Sequence, residues 1–189
     1  MLRSVTSEHA DDDRQVQEPE ESRIALTWSG EPGRMEELTY GMLLDQADRA
    51  AVALTRLGVR TGDKVAVHLP LVPESVIATL ACGRLGAIRS TLPVSLTVPE
   101  LVARTGESEA RVLITADAAF WDGAIRPVKA RLDHALARAR SSDGAGDRTV
   151  LVVNRCARPV SWTPGRDRWW HEVLSAGQIP LGPQPPARW

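Results

Sequence analysis

Few residues of this chain carry chemistry by type, and their spacing decides how each one reads. His68 falls near the end of a predicted interior strand, where a hydrogen-bonded structural histidine is the simpler reading than a catalytic one. His134 sits between Asp133 and Ala135 on a predicted helix and reads as a surface residue. Ser90, Ser95 and Thr97 are hydroxyls with no base near them in sequence and no GxSxG elbow around them. Lys129 follows the helix-opening Pro127 and reads as a solvated helix lysine rather than an activated amine. Cys82 and Cys156 are far apart, and neither lies in a metal-ligating spacing. Cys82 lies on the apolar side of a predicted helix and reads as a buried structural thiol, with a disulfide left open by sequence.

The bulk composition narrows the classes further. Apolar residues make up 43% and charged residues 25% of 189 residues, which suits one globular domain or a subdomain with tails. The formal net charge of -1 gives no electrostatic case for nucleic acid or an anionic membrane. Six tryptophans invite a base-stacking surface, but without a basic groove Trp28, Trp169 and Trp170 read as packing residues and Trp189 as part of a tail. No apolar run approaches signal-peptide or membrane-span length, so a cytoplasmic location is expected.

The elements that must position these residues follow from periodicity. Residues 1–22 are polar and acidic, with Asp11, Asp12 and Asp13 in a row, and predict a disordered tail. Short strand-like runs at 24–28 and 37–40 flank a Gly/Pro turn and predict a hairpin. Thr39 is a candidate N-cap for a helix over 41–57, with Leu43, Ala47, Ala50, Ala51 and Leu54 on one face and Gly58 as its stop. A strand at 65–69 precedes a helix opened by Pro73 and stopped at Gly86. Strands at 87–92, 111–115 and 149–153 alternate with a short helix at 99–105 and a helix from Pro127. A Gly/Ser/Asp loop is expected over 141–147 and a Pro-rich tail over 177–189. Alternating strands and helices with short connections predict an α/β fold, an open and mainly parallel sheet with helices on both faces.

Several stretches in one order carry a family resemblance. Leu38-Thr39-Tyr40, Leu57-Gly58-Val59, Gly62-Asp63-Lys64-Val65-Ala66-Val67-His68-Leu69-Pro70, Val72-Pro73-Glu74 and Ala81-Cys82-Gly83-Arg84-Leu85-Gly86-Ala87 resemble the opening of AMP-forming acyl-CoA synthetases. Val112-Leu113-Ile114-Thr115-Ala116-Asp117, Thr163-Pro164-Gly165-Arg166-Asp167 and Trp169-Trp170-His171 are similar to the acetyl-CoA synthetase branch in particular. The resemblance spans residues 24–174 and implies the first part of the large N-terminal domain of adenylate-forming enzymes, here a partial domain over 23–176. His171 then matches a packing feature rather than a catalytic group.

By that resemblance the family reaction joins acetate to CoA at the expense of ATP, giving acetyl-CoA, AMP and pyrophosphate with magnesium as cofactor. The family holds the ATP phosphates in a Gly/Ser/Thr-rich loop followed by lysine, because clustered amides and a cation must meet a polyanion. No such segment occurs in these 189 residues, and neither do the family's adenine contacts or its C-terminal catalytic lysine. The resemblance therefore implies a truncated homologue without catalytic residues, and without a cofactor of its own.

The CoA-side positions are altered as well. Val94 and Ser95 stand where the branch has the glycines of a Phe-Gly-Gly-Phe stretch. Trp121, Gly123 and Ala124 stand on an Arg-x-Gly-Arg segment, so an aromatic ring and a methyl replace two guanidinium groups; nearby Arg126 is the lesser candidate to substitute. Three expectations result: a non-catalytic homologue, an interaction module docking on itself or on a full-length synthetase, or one half of a split enzyme completed by a complementary chain.

Overall fold

The computed structural model describes residues 19–121, 123–139 and 148–176. Most of the expected acidic tail, the expected 141–147 loop and the Pro-rich tail lie outside the described residues. A single 3-10 turn at Glu20–Ser22 precedes the first strand.

Strands β1 (Ile24–Glu31) and β2 (Arg34–Thr39) form the expected antiparallel hairpin. Helix α1 (Tyr40–Arg56) follows at once, because the Thr39 hydroxyl accepts the Met42 amide at 3.3 Å and caps the first turn. Its apolar positions Leu43, Ala47, Ala50, Ala51 and Leu54 are all buried, as their spacing requires. At its end the Gly58 amide reaches the Thr55 carbonyl and the Val59 amide the Leu54 carbonyl, a Schellman termination.

Strand β3 (Lys64–His68) leads into α2 (Pro73–Leu85), which starts on proline and ends on the same termination. Gly86 has φ of +64°, and a Cβ there would lie 3.0 Å from the Thr61 methyl, so both backbone and space call for glycine. Next come β4 (Ile88–Thr91), α3 (Val98–Glu107) and β5 (Val112–Ala116). Helix α3 runs past the expected 99–105 at both ends, and its start one residue earlier follows from the cap in which Glu100 accepts the Thr97 amide at 2.8 Å. A small hairpin of β6 (Ala119–Trp121) and β7 (Ala124–Arg126) then precedes α4 (Val128–Ala139). The chain returns through β8 (Thr149–Val153), an irregular run over 154–166, β9 (Asp167–Trp169) and α5 (Trp170–Ser175).

The main sheet has the order β4-β3-β5-β8-β9, with every pair parallel. Alternate residues of β3, β5 and β8 serve two cores. Val65, Val67, Val112, Ile114 and Leu151 pack with Ala50, Leu54, Ile77 and Trp170 from α1, α2 and α5. Ala66, Leu113, Val150 and Val152 pack with Leu101, Leu132 and Leu136 from α3 and α4. Helices therefore cover both faces, and the α/β expectation holds.

The helix after β3 lies on one face and the helix after β5 on the other. Adjacent strands whose connections diverge in this way leave a crevice beyond their carboxyl ends, the usual ligand position of an open α/β sheet.

Candidate functional site

The crevice is floored by the residue after β5. Asp117 is 1% exposed, and its carboxylate accepts the Arg155 amide at 2.8 Å, the Cys156 amide at 3.1 Å and the Arg158 amide at 2.8 Å. One acidic side chain thus holds a whole turn of the run after β8. Beside it lies a cleft of 360 Å³ bounded by Asp117, Ile125, Pro127, Arg158, Pro159 and Ser161.

An ionic cluster centred on Arg155 lies beside the Asp117 turn. Arg155 is 4% exposed, and its guanidinium meets Glu31 at 3.1 Å, Glu36 at 3.0 Å and Glu74 at 3.4 Å. The same group lies 4.0 Å above the Trp28 ring, whose indole N–H donates to the Leu71 carbonyl at 2.6 Å. Burial alone would lower its pKa, but Glu74, Glu36 and Glu31 outweigh burial and hold the guanidinium above its usual range. Arg34 adds a second cation, pairing with Glu36 at 2.7 Å and donating to the Arg155 carbonyl at 3.0 Å.

A second ionic group lies under the far side. Lys129 is fully buried, which corrects the expectation of a solvated lysine. Its ammonium bonds Asp133 at 2.7 Å, Asp167 at 2.8 Å and the Ser161 carbonyl at 2.7 Å, satisfying all three donors. Arg166 pairs with Asp167 at 2.6 Å and with Asp133, so two cations and two anions neutralise one another. Burial would raise the Asp167 pKa, but its bonds from Arg166 and Lys129 lower it overall. Lys129 lies on the buried side of α4, where its ammonium meets Asp133 one turn along the helix, Asp167 at the start of β9 and the Ser161 carbonyl of the 154–166 run.

The two thiols are not activated. Burial pushes the Cys82 thiol up, and burial with the Asp117 and Glu31 carboxylates does the same at Cys156. His134 is exposed as expected, and His171 is exposed with its ring stacked 6.1 Å from Trp169. Trp28 and Trp170 are buried and Trp169 is half-buried, Trp169 packing against Trp162 at 4.8 Å. His68 is buried and its Nδ1 meets the Leu92 carbonyl at 2.9 Å, the hydrogen-bonded position its strand suggested.

The positions expected on a CoA side fall on two separate elements at this same edge of the sheet. Val94 and Ser95 form the turn between β4 and α3, with Val94 half-buried and Ser95 exposed. Trp121 and Ala124 pair across the β6–β7 hairpin, whose turn includes Gly123 at φ +71°. Both elements reach α4, the hairpin by leading into it and the turn through Arg131, which donates to the Val94 carbonyl at 3.1 Å and to the Leu96 carbonyl.

The fold and its carboxyl-edge crevice define an open α/β sheet protein with a topological switch point between β3 and β5. The AMP-binding enzyme family matches residues 12–187, and this chain belongs to that family. It is 42% identical over 163 residues to the acetyl-coenzyme A synthetase of Streptomyces avermitilis, covering 86% of this chain and 24% of that protein. The acetyl-coenzyme A synthetase of Mycobacterium tuberculosis H37Rv is 43% identical over 174 residues, or 92% of this chain and 26% of the relative. That of Deinococcus radiodurans is 40% identical over 163 residues. The chain spans about a quarter of the length of these curated relatives.

Asp117, Arg166 and Asp167 stood inside the stretches that carried the resemblance, yet their work was not visible there. The signal for the buried cluster was the Lys129–Asp133 spacing of four with the adjacent Arg166-Asp167 pair. Arg155 gave no signal, because its carboxylate partners lie at 31, 36 and 74 in sequence.

Proposed function

We propose that this chain is the sheet-bearing front section of an AMP-forming acyl-CoA synthetase of the acetate-activating branch, and that these 189 residues serve as scaffold rather than as adenylating machinery. The observation that carries the reading is the use to which charge is put at the crevice. Arg155, Arg34, Lys129 and Arg166 are each engaged by carboxylates of the fold itself. A triphosphate needs such cations together with clustered amides, and the Asp117 carboxylate already occupies the amides of 155, 156 and 158. The replacements at Trp121 and Ala124 support the same reading for CoA.

On this account ATP, magnesium and CoA belong to chemistry that a complementary synthetase segment would supply, in the cytoplasm. The outer strand β9 favours association as the route: it lies at the sheet edge, and the exposed Trp162 sits beside a groove lined by Arg56, Leu57 and Val173. The test is acetate-dependent exchange of pyrophosphate into ATP. The chain alone is expected to show none, whereas mixing with the separately made remainder of a full-length relative restores exchange. Exchange by the chain alone overturns the scaffold reading; no exchange in the mixture overturns the docking route.

A further inference from the structure

The segment that joins β4 to α3 is fastened in an unusual way. The carbonyls of residues 92, 94 and 96 are taken in turn by side chains from beneath: His68 at the end of β3 holds the Leu92 carbonyl at 2.9 Å, and Arg131 of α4 holds those of Val94 and Leu96. One of the two fasteners is a permanent cation; the other titrates near neutrality when free.

His68 is 1% exposed, and its Nε2 is buried without a hydrogen-bond partner. The neutral ring donates from Nδ1–H to the Leu92 carbonyl and leaves Nε2 an unpaired acceptor, a smaller cost than an unpaired buried charge. Protonation would turn Nε2 into a buried ionic donor. The groups that face it are few. Thr115 of β5 is its register partner, and the Thr115 hydroxyl is itself buried and unpartnered. Arg131 faces it from α4 as a like charge. The loop carries no ionisable side chain over 92–97, and Glu100 at the start of α3 is committed to Thr97. Among these described neighbours no carboxylate compensates an imidazolium.

We propose that His68 is an acid-sensitive fastening of residues 92–97, releasing that loop when its ring becomes an imidazolium. Once charged, the ring is driven out of the site by lost solvation and by Arg131, and the Leu92 carbonyl loses its donor. Arg131 is then the one side chain of the pair still fastening the loop carbonyls, while the Leu92 amide stays on the Val67 carbonyl, so release is local to the carboxyl end of β4 and the sheet stays formed. The functional consequence, a carboxyl edge that loosens in acid beside Val94 and Ser95, rests on the synthetase reading above; the fastening itself does not.

Amide hydrogen exchange on the full chain tests this at about pH 7.5 and about pH 5.5, on either side of the ordinary histidine pKa. Protection factors, already corrected for intrinsic rates, are read at Leu92, Leu96 and Thr97, whose amides bond Val67, Pro93 and Glu100. They are expected to fall severalfold in acid while those of Val112–Ala116 hold. His68→Gln, which keeps an amide donor but cannot ionise, should show no such fall. In the wild-type chain the imidazole nitrogen shifts of His68 should titrate no higher in pH than the onset of the loss, because the opened loop takes up the proton before the closed one, which keeps the test decisive if the variant does not fold. Unchanged protection at 92–97, a fall shared by β5, a fall retained in His68→Gln, or a His68 ring that titrates above the onset of the loss each overturns the proposal. No outcome depends on ATP or acetate, so failure here and failure of the synthetase reading are separable.

Discussion

Two buried ionic residues carry the sharpest predictions at the scale of single side chains. Lys129 has three bonded partners and no exposure, so Lys129→Met strands Asp133 and Asp167 with Arg166 as their remaining cation. Breaking one member of a buried ionic group costs about 3–5 kcal/mol, and equilibrium unfolding in denaturant should show a loss in that range. A solvated lysine would have cost under about 0.5 kcal/mol, so the two readings separate cleanly. Asp117→Ala leaves three amides of the 155–158 turn without their acceptor and should cost about 3 kcal/mol. Asp117→Asn, which keeps one carbonyl oxygen as acceptor, should cost less in the same measurement.

Arg155 joins elements rather than neighbours. Its carboxylate partners come from β1, β2 and the first turn of α2, so it pins the opening hairpin to the end of β8. Arg155→Met should leave Glu31, Glu36 and Glu74 facing each other with Arg34 alone, and hydrogen exchange over the β1–β2 hairpin should accelerate while β3 and β5 stay protected. Uniform acceleration across the sheet would contradict this division. The hairpin itself was legible in sequence, because a Gly/Pro turn separated two short β-prone runs. So were α1 and α2, whose apolar faces and glycine stops are local signals. The β6–β7 hairpin and β9 were not: each has three residues, too few for a period to show, and β9 exists because β8 offers it an edge. Lys129 was misplaced for a related reason, since its burial depends on the Ser161 carbonyl and the Asp167 carboxylate, both more than thirty positions downstream.

At the scale of the molecule, charge placement gives a pH dependence. The His68 pKa is lowered from 6.5, first by burial, with the Leu92 bond opposing and Arg131 adding to the fall. The unfolded chain therefore takes up this proton before the folded one does. The stability it confers is complete above about pH 6.5 and shrinks as pH drops toward the folded value. Asp167, lowered below the carboxylate range, acts later: its contribution is present above the ordinary carboxylate pKa and is lost as pH falls through the folded one. Unfolding free energies across pH should thus be flat from about 8 to 7 and decline in two stages, and His68→Gln should remove the first stage. Among the described residues no helix is long and apolar enough to cross a membrane, and both cores lie against the one sheet.

Arg155, Arg34, Lys129 and Arg166 are paired with carboxylates of the fold, and the amides of 155, 156 and 158 with Asp117. The scaffold reading requires that what is left at the sheet's carboxyl edge, the exposed Arg158 included, does not hold a triphosphate. Titration calorimetry of magnesium-ATP into the purified chain asks this most directly. Heats indistinguishable from dilution are predicted throughout; saturable binding of one nucleotide per chain would contradict the account.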